Sequence, residues 1–62
     1  MFKIIKSGDN YIIRKADKPN KYQYFNGYDF MGSVNWVDSK SESQKLDWGS
    51  AVATLEDLIK AE

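Results

Sequence analysis

The sequence predicts an α+β fold: a three- to four-stranded antiparallel β-meander packed against one C-terminal helix. Three observations carry that prediction. Short runs of β-forming residues fill the first 37 positions and are separated by turn chemistry. A single segment near the C-terminus changes to the 3.6-residue period of an amphipathic helix. The chain has 62 residues, 42% of them hydrophobic and 15% aromatic, which leaves room for one folded domain and no second.

The first two strands are expected at 2–6 and 11–15. Phe2-Lys-Ile-Ile-Lys6 and Tyr11-Ile-Ile-Arg-Lys15 are rich in β-formers, and Ser7-Gly8-Asp9-Asn10 between them reads as a turn. With Gly8-Asp9 as the tight turn, Ile5 opposes Ile12 and Ile4 opposes Ile13. Phe2, Ile4 and Ile13 then share one face, with Ile5 and Ile12 on the other. Ala16 to Asn20 reads as a polar loop in which Pro19, lacking an amide hydrogen, stops pairing.

The next strand is expected at 21–25. Asn26-Gly27 follows it, and Asn-Gly between β-formers is the strongest local hairpin signal. The return strand is therefore expected over 28–37, with Phe25 opposite Tyr28, Gln23 opposite Phe30 and Tyr22 opposite Met31. Gly32-Ser33 can bend or bulge it, and Val34-Asn-Trp-Val37 either continues it or forms a short separate strand. Asp38 to Gln44 is polar throughout and reads as a surface loop.

The helix is expected over 48–60. Asp47 stands at the N-cap position, where its carboxylate accepts from free first-turn amides. Trp48, Ala51, Val52, Leu55, Leu58 and Ile59 form the apolar stripe, and Leu46 can pack on Ala51 ahead of the cap. An isolated helix of this length is marginal in water, so the stripe needs the sheet.

Composition removes most chemistry. There is no histidine to activate a serine and no cysteine for a disulfide, thiolate or metal site. A serine–lysine pair needs a buried lysine, and every lysine stands in a polar or alternating position. The glycines are scattered rather than grouped in a phosphate loop, and no acidic cluster has calcium spacing. No enzymatic activity, cofactor or metal is expected. No apolar run reaches membrane-span length, and charges interrupt the N-terminal stretch as they do not in a signal peptide, so a cytoplasmic location is expected.

The net charge of zero divides unevenly. Residues 1–28 hold Lys3, Lys6, Arg14, Lys15, Lys18 and Lys21 against Asp9 and Asp17, a balance of +4. Residues 29–62 hold Lys40, Lys45 and Lys60 against Asp29, Asp38, Glu42, Asp47, Glu56, Asp57 and Glu62, a balance of −4. Such polarity steers a charged partner or draws the two halves together.

The unusual feature is aromatic density. Strand alternation sends the rings of segment 22–36 to both faces of a sheet, and one helix covers only one face. Tyr22, Tyr24, Tyr28, Phe30 and Trp36 are the candidate partner-binding residues, because tyrosine and tryptophan give large contact area at low entropic cost. Filling a small core is the competing role for the same rings. Nucleic-acid binding through Lys18, Lys21 and the tyrosines ranks second, since segment 22–39 holds no basic residue. Self-association across a two-fold axis into a homodimer is a further alternative.

The order Lys21-Tyr-Gln-Tyr-Phe-Asn-Gly27, then Trp36-Val-Asp38, then Leu46-Asp47 and a helix with Ala51, Leu55 and Leu58 resembles small phage and prophage proteins of unknown function. The resemblance covers residues 21–59 and brings no catalytic residues. It implies a phage-encoded inhibitor or modulator that binds a host protein, in defence or replication, inside the host cytoplasm. The order of strands and helix also resembles chromo-like domains, which bind peptides in aromatic cages, although no cage is assigned here.

Overall fold

The structure is a computed structural model and describes residues 1–61. Its four strands are β1 (Phe2–Ser7), β2 (Asn10–Lys18), β3 (Lys21–Tyr28) and β4 (Val34–Val37), followed by a 3-10 turn (Lys40–Glu42) and helix α1 (Trp48–Ala61). They form one antiparallel sheet in the order β1-β2-β3-β4. The α+β meander with a C-terminal helix is thus the observed architecture. No described helix is long and apolar enough to cross a membrane.

The first hairpin has the predicted register, Ile4↔Ile13 and Ile5↔Ile12. Gly8 takes φ 62°, the left-handed value that the first central position of a tight type II′ hairpin turn requires. The polar stretch after residue 15 is more ordered than expected. β2 runs on to Lys18, β3 begins at Lys21, and Pro19-Asn20 alone makes the turn. Pro19 suits the first central position of a type II turn, and Asn20 at φ 63° fills the second.

The second hairpin corrects the sequence reading. Asn26-Gly27 is not its turn but lies inside β3, where the pairing with β4 shifts register between Phe25 and Tyr28. The return strand is therefore Val34–Val37 rather than 28–37, and Phe25 opposes Trp36 instead of Tyr28. The expected pairs Gln23–Phe30 and Tyr22–Met31 do not form, because the turn lies at 29–33. Gly27, at φ 82°, serves a bulge as readily as a turn. The later turn brings Trp36 beside Phe25 on the core face, which the earlier one does not.

On the inner face Ile13, Phe25, Leu46, Ala51 and Leu58 form the buried core, with Phe2, Ile4, Tyr11, Val34, Trp36 and Leu55 packed against it. The helix packs on β1 and β2. In a flat sheet the two edge strands of four lie roughly 14 Å apart. Here Phe2 of β1 and Trp36 of β4 reach across that span and stack with ring centroids 5.8 Å apart.

The β2–β3 ladder ends at Arg14↔Tyr24. Beyond it, the segment leading to the helix bonds to both strands. Tyr11 and Leu46 exchange amide–carbonyl bonds at 2.7 and 2.8 Å, and the Gln44 amide donates to the Phe25 carbonyl at 3.0 Å. Backbone groups left by the separating strands are thereby satisfied. Ile12 points to the outer face and is nevertheless fully buried. The 3-10 turn of segment 38–46 packs on β3, and Ser43 after it is itself buried.

Asp47 caps the helix as expected. Its carboxylate accepts from the Ser50 amide at 2.7 Å and its carbonyl from the Ala51 amide at 2.9 Å. These bonds from Ser50, backbone first and side chain second, hold the Asp47 carboxyl below its ordinary value. Three residues of the expected stripe, Trp48, Val52 and Ile59, stand outside the core cluster. Trp48 and Ile59 remain more than half exposed, at 57% and 55%. The Trp48 ring stands T-shaped against Tyr11, near the start of β2, at 5.2 Å.

Candidate binding surfaces

The five candidate residues divide among three places. Trp36 belongs to the inner face: Phe2 stacks on it, Phe25 meets it edge-on at 6.2 Å, and the Lys15 ammonium stands 4.4 Å from its ring centre. Tyr28 follows the bulge onto the same side, T-shaped against Phe25 at 5.4 Å, with half of its surface still exposed. These two rings are partly core. Tyr22 and Tyr24 lie on the outer face of β3, which the helix does not cover, where Tyr22 opposes Ala16 and Tyr24 opposes Arg14. Phe30 stands apart from the sheet, at the tip of the β3–β4 connection.

That tip carries the most exposed large apolar side chain among the described residues. Phe30 is 97% exposed and Met31 75%. Both ride on a turn with a dense set of hydrogen bonds. One Asp29 carboxylate oxygen accepts from the amides of Met31 and Ser33, each at 2.9 Å. The Asp29 carbonyl accepts from the Gly32 amide at 3.0 Å, and the Asp29 amide donates to the Ser33 carbonyl at 2.8 Å. Gly32 takes φ 83°, the left-handed geometry that a glycine adopts without strain. The backbone beneath Phe30 and Met31 is thus held in place while their side chains touch water.

The outer face has a different chemistry. Lys3 and Arg14 oppose each other across β1 and β2, and Tyr22 lies beside them on β3. The Arg14 guanidinium sits 4.1 Å from the centre of the Tyr22 ring, a cation–π contact. With Met1, Phe2 and Ala16 these residues line an open depression of about 390 Å³. Lys18 and Lys21, singled out earlier beside the tyrosines, flank the Pro19-Asn20 turn and are exposed.

Sequence reasoning missed Lys3, Arg14 and Met31 as surface partners of the rings. The first two were accessible: strand alternation puts them opposite to Phe2, Ile4 and Ile13, on the uncovered face. Met31 was not, since the misplaced turn paired it with Tyr22. Among the described residues no group of histidine, cysteine, aspartate or glutamate side chains has the arrangement of a metal site. Compared with known proteins, the chain matches no family model, no curated protein and no solved structure.

Proposed function

We propose that this protein is a non-catalytic protein-binding module that docks through the Phe30–Met31 tip. The observation that carries this reading is the pair of apolar side chains, 97% and 75% exposed, on a turn fixed by hydrogen bonds from Asp29. Burying one such side chain is worth about 1.5–3 kcal/mol. A backbone already ordered in the free protein reduces the entropic cost of binding. The tip suits an apolar pocket on a partner. The segment 22–39 contains Asp29 and Asp38 and no basic residue, so a neutral or basic rim around that pocket is complementary to it. The same charge disfavours an anionic lipid surface or a phosphate backbone.

The resemblance to small phage and prophage proteins extends the reading to a phage-encoded inhibitor or modulator of a host protein in the cytoplasm. Nucleic-acid binding stays second for a specific reason. Base stacking needs free ring faces. Arg14 already occupies Tyr22, Phe2 and Lys15 engage Trp36, and the free ring of Phe30 stands beside Asp29 in a segment with no basic residue to meet a phosphate.

The test compares the native protein with the double variant Phe30→Ala/Met31→Ala as bait in a bacterial lysate. A protein retained by the native bait and lost with the variant, at unchanged melting temperature, is the expected result. Equal retention by both baits removes the tip from the function.

A further inference from the structure

We infer that the outer-face depression is a second recognition site, built to take a carboxylate-bearing apolar segment, the side chains of an acidic peptide. The inference is independent of the Phe30–Met31 tip, which shares no residue with the depression.

Lys3 and Arg14 are direct cross-strand partners on one face. Like charges so placed repel and destabilise a sheet. None of the six lining residues is acidic, so nothing within the depression offsets that repulsion. An anion seated between the two cations does. Arg14 is also held for the task. Its guanidinium lies 4.1 Å from the Tyr22 ring centre, and a planar fork fixed on an aromatic face keeps donors available to a carboxylate. The remaining lining is Met1, Ala16 and part of Phe2, whose ring itself stacks on Trp36; the exposed Met1 side chain and Ala16 suit an apolar group next to the anion. A depression of about 390 Å³ accommodates side chains rather than a folded surface. A peptide that alternates acidic and apolar residues satisfies both halves of the site.

A nucleic-acid strand offers the anion but needs a ring face for its base, and Arg14 covers that face of Tyr22. The acidic peptide is therefore the occupant the geometry favours.

The experiment follows backbone amide shifts of the labelled full chain on titration with a capped peptide of alternating glutamate and phenylalanine. Parallel arms use its glutamine counterpart and a dT oligonucleotide. The expected result is saturable shifts at Lys3, Arg14, Ala16 and Tyr22 with the glutamate peptide, and none with the glutamine one. Arg14→Gln should weaken that binding about tenfold, the scale of one lost charge-assisted hydrogen bond. Lys3→Gln, a change at an exposed position, should weaken it less and leave the melting temperature unchanged. Equal binding of both peptides, shifts elsewhere on the chain, or Arg14→Gln binding as native while still folded each overturn the inference. So does tighter binding of the oligonucleotide at the same residues.

Discussion

Phe25 and Phe30 stand on the same hairpin and experience opposite environments. Phe25 is 2% exposed, packed among Ile13, Leu46, Ala51 and Leu58 with Trp36 and Tyr28 at its edges. Phe30 is 97% exposed on a turn that touches none of the core. Both neighbourhoods are well ordered, for different reasons. Around Phe25 order comes from apolar burial. Around Phe30 it comes from the carboxylate and backbone of Asp29. In a domain this small, apolar surface is scarce, and a core rarely contributes more than about 3–5 kcal/mol of net stability. A phenylalanine withheld from that core contributes nothing to folding in the free chain. Its place at the tip is the strongest argument that it is used elsewhere.

The sharpest way to break the contrast is Phe25→Ala. Truncating a buried phenylalanine costs about 3–5 kcal/mol, comparable with the whole stability of such a domain. The variant is expected to lose its folded near-ultraviolet circular dichroism at 25 °C; a cooperative melt near the native temperature would show that Phe25 is not the centre of the core.

A smaller loss is expected at the bulge beside it. Gly27 sits at φ 82°, and an added Cβ would lie 3.1 Å from the Gln44 side-chain oxygen. Gly27→Ala should cost about 1–2 kcal/mol, mainly through the left-handed backbone. A urea titration measures it, and an unchanged midpoint would mean that the bulge relaxes freely.

Acid separates the helix cap from both phenylalanines. The folded state holds the Asp47 carboxyl below its ordinary value. Its contribution is therefore complete above the ordinary aspartate range near pH 4 and is lost as pH falls through the lowered folded value. Asp47→Asn keeps a capping oxygen without the titration. Thermal melts from pH 6 to 2 should fall less steeply for this variant than for the native chain, and parallel curves would remove Asp47 from the acid response.

The smallest stability effect belongs to Phe30→Ala, within about 0.5 kcal/mol of native, as for surface changes generally. A larger loss in the same urea titration would mean that Phe30 supports the fold, which would weaken the binding argument at its root.

Much of this was legible in the residues. Alternation and Gly8 set the first hairpin to its register, and the Asp47 cap with the apolar period located the helix. Those signals are local, and nothing in the tertiary structure opposes them. The second hairpin was misread because Asn26-Gly27 and the Asp29–Ser33 turn are both competent local turns. Only packing distinguishes them. The division of the aromatics was hidden for the same reason: moving the turn puts Trp36 beside Phe25 in the core and leaves Phe30 at the tip. Trp48 and Ile59 fit the helical period, yet a helix lying over β1 and β2 leaves both more than half exposed, Trp48 with the Tyr11 ring against its own.

By itself, then, the sequence determined the α+β class, the first hairpin, the capped helix and the absence of histidine and cysteine chemistry. These depend on residue identity and on interactions within a few positions of the chain. The tertiary structure decided which aromatic rings are core and which are surface. It also decided where β4 begins, and that Arg14, opposite Lys3, meets the Tyr22 ring on the neighbouring strand. Those outcomes depend on cross-strand register and on how far one helix extends over the sheet, which no local pattern encodes.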